Sequence, residues 1–140
     1  MNRQDAKAPR LAEPGAAVDA AAREIVDSAF AVHAALGAGL LESVYEQCLA
    51  HELEHRGIEV QRQVAVPVRY RDVRINAGFR IDLIVADLVV VEVKAAETLI
   101  PIHEAQLLTY LKLSNHSLGL LINFNVPLIR QGIRRLILRT

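Results

Sequence analysis

The stretch Gly78–Lys94, GFRIDLIVADLVVVEVK, constrains the fold more than any other part of the chain. It reads as two β-strands, Phe79–Val85 and Leu88–Lys94, rich in Val, Ile and Leu, with Ala86-Asp87 at the turn. Both have the apolar density of buried strands, yet Asp82 lies inside the first, and Glu92 and Lys94 inside the second. An unpaired charge is expensive to bury. Three charges set among aliphatic residues therefore need a common explanation, and a metal site supplies one. Alternation along a strand points Glu92 and Lys94 to the same face. The loop decides where Asp82 points. A two-residue loop pairs Asp82 with Val91 and sends Asp82 and Glu92 to opposite faces. A three-residue loop, Ala86-Asp87-Leu88, or a bulge, sets Asp82 opposite Glu92 with Cβ atoms roughly 5 Å apart. The second register is expected, because only there do the charges make chemical sense together.

A chain of 140 residues, 52% of them hydrophobic, is read as one domain with a single core of ordinary size. The expected domain is 18–140, after a flexible tail at 1–17 marked by Pro9, Pro14 and Gly15. No uncharged apolar run approaches the roughly 18 residues of a membrane span, and the N-terminus lacks the apolar core of a secretory signal. A lone Cys48 has no intrachain partner, so a cytoplasmic location is expected, with no membrane contact.

Net charge is zero, which removes any global basic field, but the charges are segregated. Six acidic residues and no Lys or Arg fall between Glu24 and Glu54, whereas Arg56–Arg80 holds six Arg against Glu59 and Asp72. That second run fits a solvated strand face, and equally a surface that grips phosphate through guanidinium groups.

Apolar residues recur at helical spacing from Val18 to Leu36, with Asp19 as a candidate N-cap and Gly37 and Gly39 ending the helix. A second helix is expected over Leu41–Arg56, its inward stripe made of Leu41, Val44, Tyr45, Cys48 and Leu49, with Leu53 at the margin. From Ile58 the period becomes two. Val64, Val66, Val68 and Tyr70 alternate with Ala65, Pro67 and Arg69 in one strand, and Pro67 demotes it to a sheet edge. Val73–Ile75 returns before the central hairpin. A helix over Ile102–Ser114 and strands over Ser117–Asn123 and Gly132–Arg139 complete an α/β order, α-α-β(β)-β-β-α-β-β. A meander followed by a helical crossover predicts a mixed β-sheet flanked by helices.

Asp82, nine intervening residues, then Glu92-Val93-Lys94 on adjacent strands resembles the PD-(D/E)XK nuclease superfamily, with Ile81 where the motif name has Pro. Gly39-Leu40-Leu41-Glu42-Ser43-Val44-Tyr45 resembles the GxxExxY signature of a family within it, and Gln106 and Tyr110 resemble the QxxxY helix motif of RecB-like nucleases. The resemblance runs from Gly39 to about Arg135. It implies a restriction-endonuclease-like core and a metal-dependent nuclease hydrolysing phosphodiester bonds of DNA (or RNA), with DNA the expected substrate. It further implies Mg²⁺, with Mn²⁺ as a substitute, held by Asp82, Glu92 and the Val93 carbonyl, with Glu42 as an accessory acid. Two carboxylates on one face do suit a hard cation that keeps several waters. Lys94 is implied as the group that positions the attacking water or stabilises developing charge, and Gln106 and Tyr110 as groups that orient Lys94 or a phosphate. Glu42, Gln106 and Tyr110 are therefore expected to converge on Asp82, Glu92 and Lys94. Arg69, Arg74 and Arg80 become the expected nucleic-acid contacts. Self-association into a homo-oligomer would double that basic surface and add a second site.

Two rivals follow from the same residues. One is a non-catalytic nucleic-acid-binding or assembly module on this fold, which has no need of the Asp82, Glu92, Lys94 and Glu42 set. The other rests on His51-Glu52-Leu53-Glu54-His55, an HExxH pattern whose two His share a helix face as in zinc hydrolases. No third ligand follows at a metzincin spacing, and the pattern falls inside the acidic amphipathic helix.

Overall fold

The structure, a computed structural model, describes residues 15–139; residues 1–14, most of the expected tail, lie outside the described residues. Helix α1 (Ala16–Leu36) and helix α2 (Glu42–His55) are followed by β1 (Val60–Ala65), β2 (Val68–Tyr70), β3 (Val73–Ile75), β4 (Arg80–Val85) and β5 (Val89–Lys94). Helix α3 (Pro101–Ser114), β6 (Leu118–Asn123), a 3-10 turn at Ile129–Gly132 and β7 (Ile133–Ile137) complete the chain. The main sheet has five strands in the order β1-β4-β5-β6-β7. Only β5 and β6 run parallel, because α3 carries the chain back across the sheet between them. This mixed sheet flanked by helices is the expected architecture.

The central hairpin has the three-residue loop. Val85 pairs with Val89 and Leu83 with Val91, so extending the ladder by one residue sets Asp82 opposite Glu92. Ala86 and Asp87 both take left-handed φ of 54°, and the Leu88 N–H donates to the Val85 carbonyl at 2.9 Å.

Two apolar layers sandwich the sheet. On one side, Ile25, Ala29 and Val32 of α1 and Tyr45, Leu49 and Leu53 of α2 pack on Leu83, Val91, Val93 and Leu120. On the other, Leu107, Tyr110 and Leu111 of α3 cover Ile81, Ile84, Val90 and Leu121. Ile81 and Leu83 are two residues apart yet bury on opposite sides, so the regular alternation slips at Asp82.

Several expectations are corrected. Ala16 and Ala17 belong to α1, not to the tail, and Gly15 is the N-cap; Asp19 lies in the first turn, where its carboxylate accepts from Arg135 Nη2 at 2.7 Å. The single strand expected through Tyr70 is broken at Val66-Pro67 into β1, which forms the sheet edge, and β2, which pairs with β3 in a separate two-stranded hairpin. Proline cannot donate to a ladder, so the chain leaves the sheet there. Leu41 is 74% exposed at the α2 N-cap instead of facing inward, and buried Glu46 lies among the inward residues instead.

Asn123 ties the end of β6 to the segment after β5. Its Oδ1 accepts from the Ala96 N–H at 3.0 Å, its Nδ2 donates to the Ala96 carbonyl at 3.0 Å, and the Phe124 N–H reaches the Lys94 carbonyl at 2.9 Å. The 3-10 turn passes so close that a Cβ at Gly132 would stand 2.0 Å from the Asn123 carbonyl oxygen. Gly132→Ala is therefore expected to destabilise the protein by at least about 1–3 kcal/mol, the range for overpacking a rigid backbone contact. Urea denaturation checks this, and a midpoint equal to wild type would contradict it.

Candidate functional site

The Asp82 and Glu92 carboxylates are fastened across the hairpin by each other's strands. The Asp82 N–H donates to Glu92 Oε2 at 2.9 Å, and the Val93 N–H donates to Asp82 Oδ2 at 2.8 Å. Side chains have taken the place of ladder carbonyls at the open end of the hairpin. Each carboxylate thus keeps one oxygen clear of that exchange. Asp82 Oδ1 has only a distant contact, 3.5 Å from Gln63 Nε2, and Glu92 Oε1 accepts no hydrogen bond among the described residues. Glu92 Oε1 is not sealed away, since the one fully buried, unpartnered side-chain atom among the described residues is Ser28 Oγ.

Their acidity reflects the setting. Burial raises Asp82 to about 6, helped by the charges of Glu46 and Glu42 and opposed by the Val93 N–H and by Lys94. Burial raises Glu92 further, to about 8, with Asp82 adding to the rise while the Asp82 N–H and Lys94 oppose it. Among the described residues neither carboxylate has an ion-pair partner. Lys94 acts on both from the end of β5 without closing on either. The phenol of Tyr110 is also raised, by burial first and then by the Glu92 and Asp82 charges.

The expected site residues are thus mostly brought together. Glu42 at the start of α2 and Lys94 at the end of β5 act electrostatically on the Asp82–Glu92 pair, and the pair in turn acts on Tyr110 of α3. Gln106 sits one turn before Tyr110 and lines a pocket with it, but it makes no hydrogen bond to Lys94 or to either carboxylate among the described residues. Arg69 and Arg74 stand opposite each other on the β2–β3 hairpin, outside the main sheet. Exposed Arg80 begins β4 and donates to the Gln63 carbonyl at 3.4 Å.

Glu46 and Gln63 belong to the same cluster and were not anticipated. Glu46 is 6% exposed, and accepts from Gln63 Nε2 at 2.8 and 2.9 Å and from Arg62 Nη2 at 3.2 Å. Adjacent residues of a regular strand point to opposite faces. Arg62 and Gln63 reach the same carboxylate because Gln63 takes a left-handed φ of 52°. Gln63 lies at the β1 position facing Asp82, so this distortion and the slip at Asp82 coincide. The one sequence signal for Glu46 is its spacing, four residues after Glu42 and so on the same helix face.

Tyr45 is structural. Its hydroxyl donates to the Gly37 carbonyl at 2.6 Å and accepts from the Leu40 N–H at 3.1 Å, while its ring stacks on Phe124 at 4.7 Å. It thereby fastens the turn that sets Glu42 at the head of α2. In the HExxH segment His51 and His55 are exposed, and Glu52 accepts from Arg56 Nε at 2.9 Å. Among the described residues no three His, Cys, Asp or Glu side chains gather to hold a metal. Two carboxylates and a carbonyl still fit an ion that keeps most of its waters.

The profile of the PD-(D/E)XK nuclease superfamily matches residues 19–136. The chain belongs to that superfamily. No curated protein and no solved structure matches it. Superfamily membership implies a nucleic-acid substrate and a divalent metal, and no helix among the described residues is long and apolar enough to cross a membrane.

The raised pKa values predict a pH dependence for the metal-free protein. A carboxyl group whose folded pKa lies above its unfolded value favours folding below the unfolded value, and loses that contribution as pH climbs through the folded one. Here stability is expected to fall from about pH 4 to about pH 8, through the windows of Asp82 (3.8 to about 6) and Glu92 (4.5 to about 8). Thermal melts in chelator check it. Glu92→Gln should melt higher than wild type at pH 8, and a lower melt would contradict the assignment of an uncompensated carboxylate.

Proposed function

We propose that the protein is a Mg²⁺-dependent nuclease that hydrolyses phosphodiester bonds of DNA. The observation that carries this reading is the Asp82–Glu92 pair, two carboxylates oriented by backbone N–H groups and without an ion-pair partner among the described residues. Gly39, Glu42 and Tyr45 together support a place in the GxxExxY family, with Gly39 at a φ of 97° in the turn that Tyr45 closes. The unpaired Cys48 fits a cytoplasmic setting.

Asp82, Glu92 and the Val93 carbonyl would hold the cation, with Glu42 approaching through water. When bound, the cation supplies Lewis acidity to the attacking water and the scissile phosphate. The Lys94 ammonium orients that water and offsets charge building on the phosphate oxygens. A phenol is protonated at neutral pH, and burial with the nearby carboxylate charges pushes Tyr110 further that way, so it would donate a hydrogen bond to a phosphate oxygen or to water. The Gln106 amide, which makes no hydrogen bond among the described residues, would contact substrate.

Lys94→Ala is expected to leave Mg²⁺ binding intact, as read by calorimetry, while cleavage of DNA falls about 10²–10⁴-fold. Asp82→Ala should remove both. Unchanged cleavage after Lys94→Ala would overturn the role given to Lys94. Absence of Mg²⁺-dependent cleavage of any nucleic acid by the wild-type protein would instead identify a binding module.

A further inference from the structure

A second feature adjoins the carboxylates. Between the β2–β3 hairpin and α3 lies a pocket of about 330 Å³, lined by Val68, Phe79, Ile102, Thr109, Tyr110 and Gln106 among others. Its walls are largely apolar, and its mouth leaves large apolar side chains in water. Phe79 is 45% exposed and Ile102 63%, and Tyr70, Val73 and Ile75 continue the patch over one face of the hairpin at 63%, 55% and 45%. The Phe79 and Tyr110 rings stand 6.5 Å apart and tilted, so two aromatic groups border the same space. Polar groups in it are few and convergent: the Gln106 amide, which is unpartnered among the described residues, the Thr109 hydroxyl and the Tyr110 phenol.

The surrounding charge selects the occupant. Arg71 lies at the hairpin turn beside the apolar face, Arg69 and Arg74 pair with each other on the opposite face of the same hairpin, and Arg80 follows Phe79 directly; a strand whose base enters the pocket would meet them as it passes round the hairpin. Among the described residues none of them forms an ion pair, and Asp72 is the only acid between Arg69 and Arg80. Arg71 stacks over the Tyr70 ring at 5.6 Å. A flat, apolar ligand with a polar edge, attached to a polyanion, satisfies both halves of this surface. A paired and stacked base cannot enter such a pocket, whereas an unpaired one can.

We propose that this pocket holds one unstacked base of a single-stranded or locally unpaired nucleic acid, beside the phosphate presented to Asp82 and Glu92. Tyr110 joins the two sites, since it lines the pocket and packs in the same apolar layer as Ile81, the neighbour of Asp82. The proposal rests on the phosphodiester reading of the carboxylate pair and narrows it to strands whose bases can be exposed.

The test is binding in chelator, so that it is read apart from cleavage. Fluorescence anisotropy of a labelled single-stranded oligonucleotide is compared with that of a blunt duplex of equal length. The wild-type protein should prefer the single strand. Phe79→Ala should weaken that binding about 5–150-fold, the equivalent of one stacked base, with duplex binding unchanged. Ile102→Glu, a change at an exposed helix position, should do the same by placing a negative charge at the mouth. One abasic position in the strand should weaken wild-type binding and add nothing to the loss in Phe79→Ala. Equal affinity for duplex and single strand, or equal loss of both in Phe79→Ala, would overturn the pocket. So would sedimentation showing a dimer that Ile102→Glu dissociates, because the patch would then be a contact between copies. Strand preference without Mg²⁺-dependent cleavage would sink the nuclease reading alone, and cleavage without strand preference the base pocket alone.

Discussion

Everything around the β4–β5 hairpin answers to the burial of two carboxylates in it. Removing an ionised carboxylate from water costs several kcal/mol even after the protein relaxes. Each here receives one backbone N–H bond, worth roughly 1.5–3 kcal/mol when the acceptor is charged. That does not cover the cost, and Lys94 stays too far to close an ion pair. The shortfall appears as raised pKa values, about 6 for Asp82 and about 8 for Glu92. A bound cation would remove it, which is why an arrangement poor for stability is suited to holding one.

The scaffold keeps this costly pair in place from three directions. Tyr45 locks the α1–α2 turn so that Glu42 heads its helix. Asn123 locks the segment after β5, and the Phe124 N–H holds the Lys94 carbonyl. Gln63 adopts a left-handed conformation that costs a non-glycine residue roughly 1–2 kcal/mol. In return, Gln63 and Arg62 both reach Glu46, which would otherwise be a buried acid without partners. The strain sits in the edge strand next to Asp82, where a regular strand would separate these groups.

The contrast between Glu46 and Glu92 separates structural from functional burial. Both are almost fully enclosed, at 6% and 4% exposure. Glu46 has an arginine and an amide, and so its charge is accounted for within the chain. Glu92 has a backbone N–H on one oxygen and, among the described residues, no partner on the other, so its charge is not accounted for in the same way.

The sequence by itself determined the element order, the hairpin and its pair of charges, because these are local. Apolar runs and turn residues mark strands, and three charges inside such runs cannot be accidental when burial is so costly. Even the loop length followed, since only one register let Asp82 and Glu92 act together. Tertiary structure decided what depends on distant segments meeting. That α2 contributes Glu46 as well as Glu42 required β1 to bring Arg62 and Gln63 against it, and a left-handed residue inside a strand leaves no mark in an otherwise ordinary alternation. That the chain leaves the sheet at Val66-Pro67 followed from a missing donor whose consequence depends on the neighbouring strand. The pocket beside Tyr110 exists only because Val68, on the hairpin thus freed from the sheet, and Phe79 meet the outer face of α3.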